Sequence, residues 1–409
     1  MQIAIIGGGA AGFFAAINCA EANPDCRVTI FERGKSVLEK VRISGGGRCN
    51  VTHACFDARA LVQYYPRGQR ELLGPFMQFG PAETIAWFER RGVVLKTEAD
   101  GRMFPVTDDS QTIVSCLQKA AQQAGVQVLT SSRVEHIASA PDGAWQLKVA
   151  GDERQRIFQK IMIATGSNPA IWQSLREMGH SIVEPAPSLF TFNTKDTRLR
   201  DLAGVSVQDA VLRIPGTTLS ANGPLLVTHW GLSGPGILRI SAWGARQLQE
   251  MNYHFPLEIN FTGGKKMPDI QEELLGFKTG QGKKTVAAHP FPGIPLRLWQ
   301  HLVTAAGVPT ERRWADLDKK LLQALAEQTG CAVFQIAGKS TFKEEFVTAG
   351  GVELKEINFK TFESRLQPNL FLAGEVLNID AITGGFNFQA AWTGGWLAGR
   401  AMAEVRGEK

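Results

Sequence analysis

Residues Gly7-Gly8-Gly9-Ala10-Ala11-Gly12 carry the G-x-G-x-x-G spacing that lets a backbone turn tightly beneath a pyrophosphate. Gly7 permits the turn, Gly9 leaves the backbone open to a phosphate, and Gly12 lets the following helix pack close to the preceding strand. The helix N-terminus then aims its N–H groups at the anion. Glu32 ends the apolar stretch Arg27–Phe31, about 20 residues after the glycines, where a carboxylate accepts hydrogen bonds from ribose hydroxyls. Such an acid suits an unphosphorylated ribose better than a 2′-phosphate. Gly7, Gly9, Ala11, Gly12, Glu32 and Arg33 are therefore the candidate residues for the adenosine half of a dinucleotide.

Which dinucleotide is decided elsewhere in the chain. A nicotinamide dehydrogenase places its catalytic groups soon after one dinucleotide unit, whereas flavoproteins of the glutathione-reductase type return to FAD with a distant C-terminal segment. Asn369–Leu372 reads as a strand entering Ala373-Gly374-Glu375, and Thr383-Gly384-Gly385-Phe386-Asn387 opens a long helix through Ala403. The positive end of that helix suits the negative charge that develops at the N1/C2-carbonyl edge of a reduced flavin, and Glu375 suits a ribityl hydroxyl. The loop Ser44-Gly45-Gly46-Gly47-Arg48-Cys49-Asn50 offers backbone N–H groups, a permanent charge, a thiol and an amide. Another apolar strand ends in Ala164-Thr165-Gly166. Gly46, Arg48, Cys49, Asn50, Val134, Thr165, Gly166, Gly374, Glu375, Gly385, Phe386 and Asn387 complete the candidate cofactor set.

Flavin chemistry needs little more from a protein than positioning and one acid or base. His229 can exchange a proton near neutral pH, although a buried, hydrogen-bonded histidine is the simpler reading. Cys49 beside Arg48 has a neighbour that would stabilise a thiolate, against plain packing next to the cofactor. Asp380 is an acid–base candidate or a capping carboxylate. No C-x-x-C pair or Cys/His cluster with zinc spacing occurs, so neither a disulfide framework nor a metal site is expected.

These residues need a large, soluble scaffold to hold them. The chain has 409 residues, 44% hydrophobic and 20% charged, with 43 Gly and 19 Pro scattered without a period, which excludes disorder, collagen and solenoid repeats. The first twenty residues are apolar, but no Lys or Arg precedes them and glycines interrupt them, so a signal peptide is not expected here. No other apolar run of about 18 residues exists. A cytoplasmic protein without membrane contact is expected. The net charge is +5, and roughly all of the excess lies between residues 190 and 340, without the long basic blocks of a dedicated nucleic-acid binder.

The combination SGGGRCN, Thr228–Gly236 (THWGLSGPG) and AGEVLNIDAITGGFNFQ from Ala373 resembles the BaiN/YhiN-like flavoproteins, described as NAD(P)/FAD-dependent oxidoreductases with aminoacetone oxidase among their assigned activities. The likeness runs across nearly the whole chain. It implies an α/β fold: a Rossmann-like FAD-binding domain of the glutathione-reductase type, interrupted by an inserted β-rich, barrel-like domain and a helical segment. The alternating stretches Ser188–Phe192, Val205–Ile214 and Leu257–Phe261 and the polar, helix-like run Lys265–Gly330 fit that division. The expected boundaries are 1–187 and 335–409 for the FAD domain, 188–264 for the β-rich insert and 265–334 for its helices. The chain departs from the family pattern at Ala381, where glycine is expected, and at Ser167-Asn168-Pro169, where many members have a longer glycine-containing loop.

The resemblance implies an oxidoreductase with non-covalent FAD acting on a small molecule. No second dinucleotide fingerprint follows Thr165, so the flavin would be reduced by the substrate or by transiently bound NAD(P)H. Two other functions fit the same residues: a flavoprotein that binds or modifies tRNA, prompted by the basic middle region, and a non-enzymatic flavin-dependent sensor. Oligomeric state is not fixed by these residues.

Overall fold

A computed structural model describes residues 1–140, 143–340 and 347–405. The chain divides into two units, Met1–Ala186 with Val347–Lys409, and Pro187–Phe346.

The first unit is built on five parallel strands: β1 (Gln2–Ile6), β2 (Arg27–Phe31), β3 (Gln127–Leu129), β4 (Lys160–Ile163) and β5 (Leu370–Leu372). Their spatial order is β5-β4-β1-β2-β3, and the antiparallel strands Glu363–Ser364 and Ile357–Asn358 extend the β5 edge. QIAII, KIMI and LFL run apolar without alternation because they are buried on nearly every residue, as strands covered on both faces must be. From β1 the chain steps outward to β2 and β3, then crosses back to β4 and β5. Strand order therefore reverses beside β1, where Ile6 pairs with Phe31 on one side and Ile163 on the other. In open α/β sheets the crevice beyond the strand ends at that reversal is where ligands bind.

Helix α1 (Ala10–Ala22) follows β1, the broken helix α2 (Glu39–Gly47) follows β2, and α3 (Phe386–Ala403) follows β5. α1 and α3 pack closely because small residues face each other, Ala11 and Ala15 against Gly395 and Gly399. Around this pair, Phe14 stacks among Phe79, Trp87 and Trp392 with ring centroids 5.6, 4.4 and 5.2 Å away. The C-terminal carbonyls of α3 are satisfied by a buried lysine at the start of β4. Lys160 Nζ donates to Ala401 O, Met402 O and Glu404 O at 3.2, 3.1 and 2.6 Å.

The second unit centres on a seven-stranded sheet in the order Ala332–Ala337, His254–Asn260, Ser206–Arg213, Ser220–Thr228, Gly231–Ser233, Thr191–Asn193, Lys339–Ser340, and its strand pairs are antiparallel. Helices Pro235–Trp243, Met267–Gly280, Leu296–Ala305 and Lys319–Gly330 share its apolar core with Leu212, Val227, Phe334 and Trp299. The expected return to the first unit near residue 335 needs correction. Ala332–Ala337 pairs with His254–Asn260 through Leu257↔Phe334, so it completes the second sheet, and the first unit resumes at Val347. The alternation of Ala332–Ala337, buried at every second residue, is the signature of that half-buried strand. No helix among the described residues is long and apolar enough to cross a membrane.

Candidate functional site

The glycine turn after β1 is packed tightly against its neighbours at Gly7 and Gly12. Gly7 has φ +112°, and a Cβ there would stand 2.4 Å from Ala164 O. A Cβ on Gly12 would stand 2.0 Å from Gly7 O, so helix and turn touch directly. Gly9, the N-cap of α1, differs: nothing lies within 4 Å of its absent Cβ, and no side chain caps the helix. An anion placed there would take up the helix's unsatisfied N–H groups.

Glu32 is fixed at the rim of the crevice, its two carboxylate oxygens accepting from Gly8 N at 2.8 Å and Gly34 N at 2.7 Å. Gly7, Glu32, Arg33, Val134, Thr165 and Asn168 line one continuous pocket within the first unit. Thr165 Oγ1 is buried there with no hydrogen-bond partner, a deficit that costs about 1–3 kcal/mol unless a ligand supplies the missing group. The open face at Gly9, the anchored Glu32 and the orphaned Thr165 hydroxyl fit an adenine nucleotide.

Segments far apart in sequence meet the same crevice. Gly374, at φ +80°, would place a Cβ 3.4 Å from Ala11 Cβ, and a Cβ on Gly166 would lie 3.9 Å from Glu375 Oε2. Glu375 is held by Lys40 of α2, Nζ to Oε2 2.7 Å, a partner not legible in the sequence. The lysine is more than half exposed, so the pair is weak enough for a ligand hydroxyl to share the carboxylate.

The glycine loop at the end of α2 leaves helical geometry at Ser44, and Gly45, Gly46 and Gly47 all take positive φ. Gly46 and Gly47 face open space. Arg48 is not the bare cation expected. It pairs with Glu98 at 2.6 Å and Asp108 at 3.5 Å and lies 4.0 Å over the Phe104 ring. Cys49 is fully buried, and burial pushes its thiol up to about 12, which disfavours the thiolate at neutral pH.

Asn50, with its amide oxygen turned toward Gly385, accepts from Gly385 N at 2.9 Å and donates to Thr52 O at 3.0 Å. Gly385 is the N-cap of α3 at φ +88°, and a Cβ there would strike Thr52 O at 2.6 Å. Asn387 and Phe386 brace the helix start. The Asn387 amide closes on Ala381, accepting from its N at 3.0 Å and donating to its O at 3.1 Å. The buried Phe386 ring stacks on Tyr64 at 4.3 Å and on His53 at 4.6 Å, while its carbonyl accepts from Tyr65 OH at 2.6 Å. Both side chains are engaged in these contacts within the protein.

Two further catalytic candidates are corrected. Asp380 is fully buried and forms a bidentate ion pair with Arg67, so its carboxylate is committed to holding the loop before α3. His229 is exposed, not buried, at the tip of the hairpin Ser220–Thr228/Gly231–Ser233, beside Trp230. The sequence reading missed His53. Its Nε2 lies 3.1 Å from Asp100 O, its Nδ1 is buried without a partner, and burial holds it below the ordinary 6.5 against the opposing pull of the Asp100 carbonyl. Its position three residues after Asn50 was the available signal. Among the described residues no group of three His, Cys, Asp or Glu could hold a metal ion.

A family model described as the HI0933-like protein Rossmann domain matches residues 1–401. The 3-dehydro-bile acid delta(4,6)-reductase of Clostridium scindens is 28% identical over 98% of this chain and 99% of its own. The ribosomal RNA dihydrouridine synthase of Escherichia coli is also 28% identical, over 98% of each chain. In fold, the chain is similar to the 3-ketosteroid-delta4-(5alpha)-dehydrogenase of Rhodococcus jostii, with TM-score 0.54 and 14% identity over 99% of this chain and 97% of that one. It is also similar to the 3-ketosteroid delta1-dehydrogenase of Sterolibacterium denitrificans, with TM-score 0.50 and 10% identity over 98% and 99%.

Proposed function

Because the chain belongs to the HI0933-like family of Rossmann-fold flavoproteins, we propose that it binds FAD non-covalently in the β1 crevice and reduces a carbon–carbon double bond conjugated to a carbonyl. The observation that carries the reading is that Gly7, Glu32 and Thr165 line one pocket, with Gly8 bonded to Glu32, the start of α1 left without a side-chain cap, and Gly374 and Glu375 close to Ala11 and Gly166. The names of the relatives support the reaction class. A delta(4,6)-reductase and a dihydrouridine synthase both add two electrons and two protons across a double bond in a ring that also carries a carbonyl. The proposed substrate is a small cyclic compound of that kind, with transiently bound NAD(P)H as electron donor. The second reading, the same reduction on a uracil ring within RNA, is favoured by a group of unpaired cations in the second unit.

Bound FAD would supply the two-electron carrier. The chain's own residues do the rest. Glu32 would hold the ribose end, the N-terminus of α1 would face the diphosphate, and Thr165 would gain the hydrogen bond it lacks. The N-terminus of α3, braced by Asn50, Tyr65 and Phe386, presents positive dipole charge. Burial holds His53 below its ordinary 6.5, with its Nε2 3.1 Å from the Asp100 carbonyl oxygen.

The test is the visible spectrum of the purified protein during anaerobic addition of NADH or NADPH and then of a cyclic enone. A band near roughly 450 nm, bleached by one nicotinamide and restored by the enone, is the expected result. A protein that takes up no FAD refutes the reading. Restoration by oxygen but not by any enone would replace the reductase with an oxidase.

A further inference from the structure

The excess positive charge has one address within the second unit. Residues 278–320 hold eight Lys and Arg against three Asp and Glu. Six of those cations lie on two adjoining segments. The isolated antiparallel bridge Thr285↔Arg313 sets Lys283-Lys284 beside Arg312-Arg313. Backbone bonds Val286 N to Arg312 O at 2.9 Å, Trp314 N to Lys284 O at 3.0 Å and Ala315 N to Gly282 O at 3.0 Å fix the pairing. Lys319 and Lys320 follow at the start of the helix Lys319–Gly330.

All six side chains are exposed, and none forms an ion pair among the described residues. Lys284 donates to His289 Nε2 at 2.7 Å, which leaves its charge uncompensated. Of the local acids, Asp318 is committed to capping the helix, accepting from Leu321 N at 2.8 Å. Folding alone does not favour this arrangement. Cations in the first turn of a helix oppose its dipole, and like charges gathered on adjoining segments repel. A polyanion reverses both effects.

We propose that this face docks an RNA strand through its phosphates. Neither segment presents an exposed large hydrophobic side chain, which a membrane-surface site would need to anchor in lipid. A relative of similar length is named for action on ribosomal RNA. The inference rests on the second reading above, reduction of a uracil ring within RNA, and the flavin spectrum reports on the cofactor separately from docking.

The holoprotein is titrated into a fluorescein-labelled RNA oligonucleotide and anisotropy is read from about 50 to 200 mM salt. The variant K283E/R313E weakens binding tenfold or more at the low-salt end and lowers the slope of log affinity against log salt by at least about 1, from two lost phosphate contacts. Arg154→Glu, a charge reversal at a side chain 90% exposed in the first unit, changes affinity less than twofold. The same flavin spectrum in all three proteins shows that fold and cofactor are intact. Wild-type protein that does not bind RNA at low salt, equal weakening by R154E, or tighter binding to phosphatidylserine vesicles than to RNA overturns the proposal.

Discussion

Gly395 of α3 lies so close to Ala11 of α1 that a Cβ built on it would stand 2.7 Å from the Ala11 carbonyl oxygen, and Gly399 repeats the relation one turn on, 2.5 Å from Ala15 O. The helix that follows the glycine turn and the helix that closes the chain are thus one packing unit. An alanine at Gly395 would gain about 1 kcal/mol of helix propensity. Its methyl, however, meets backbone that cannot rotate away, an overpacking cost of about 1–3 kcal/mol. Gly395→Val adds two more methyl groups to the clash. Urea denaturation should therefore show Gly395→Val destabilised by at least about 2 kcal/mol, with FAD content reduced if α1 carries the proposed anion site.

Glu32 ties three things together: the glycine turn through Gly8, the following loop through Gly34, and the proposed ribose. Hydrogen bonds to a charged group contribute about 1.5–3 kcal/mol each. Glu32→Ala should raise the FAD dissociation constant by about 10–100-fold, read by quenching of flavin fluorescence on titration of the apoprotein. An unchanged affinity would move the ribose away from this carboxylate.

The thiol of Cys49 is pushed up to about 12 by burial, with only the Ser44 hydrogen bond pulling the other way. At pH 8 its thiolate is on the order of one molecule in ten thousand. Folded protein should leave Cys49 unlabelled by iodoacetamide, as shown by peptide mass mapping, and Cys49→Ala should keep turnover within about twofold. Rapid labelling that FAD prevents would restore the thiol to the site.

Glu356 gives the first unit an acid-sensitive point. Its carboxylate accepts from Ser181 N at 3.0 Å and pairs with His180 Nδ1 at 2.9 Å, and His180 Nε2 lies 3.0 Å from Ser364 Oγ. Burial raises the carboxyl, but the hydrogen bonds from Ser181 and His180 outweigh it and hold the group below 4.5. A carboxyl depressed in the folded state contributes stability above its unfolded value, about 4.3, and loses it as pH falls through the folded value. Unfolding free energy should therefore drop less steeply between about pH 5 and 3 in Glu356→Gln than in the native chain. Parallel slopes would remove Glu356 from the acid response.

The local motifs were the legible part of this protein. QIAII, the glycine turn, Glu32 and the strand-to-helix passage at Asn369–Asn387 each announce their structure within a few residues, because hydrophobic periodicity and glycine geometry are short-range properties. The roles of Asp380, Cys49 and Asn387 were not legible, since each depends on a neighbour the fold brings from afar or on burial. Arg67 meets Asp380 across 313 positions of sequence, and no spacing rule connects them. The expected boundary at residue 335 cuts through the strand Ala332–Ala337 for the same reason: its alternation shows a half-buried strand but not which sheet receives it.

The first unit is written at both ends of the chain, with Pro187–Phe346 between. During synthesis β1, β2, β3 and β4 emerge first, yet β4 has no β5 beside it and α1 no α3 to cover Ala11 and Ala15. At roughly 5–20 residues per second, translation takes on the order of ten seconds or more to cross the insert. For that interval the nascent chain holds an open sheet edge and a bare apolar helix face, while the insert has its own sheet and core to fold first. Capture of the proposed cofactor would therefore wait until α3 has left the ribosome.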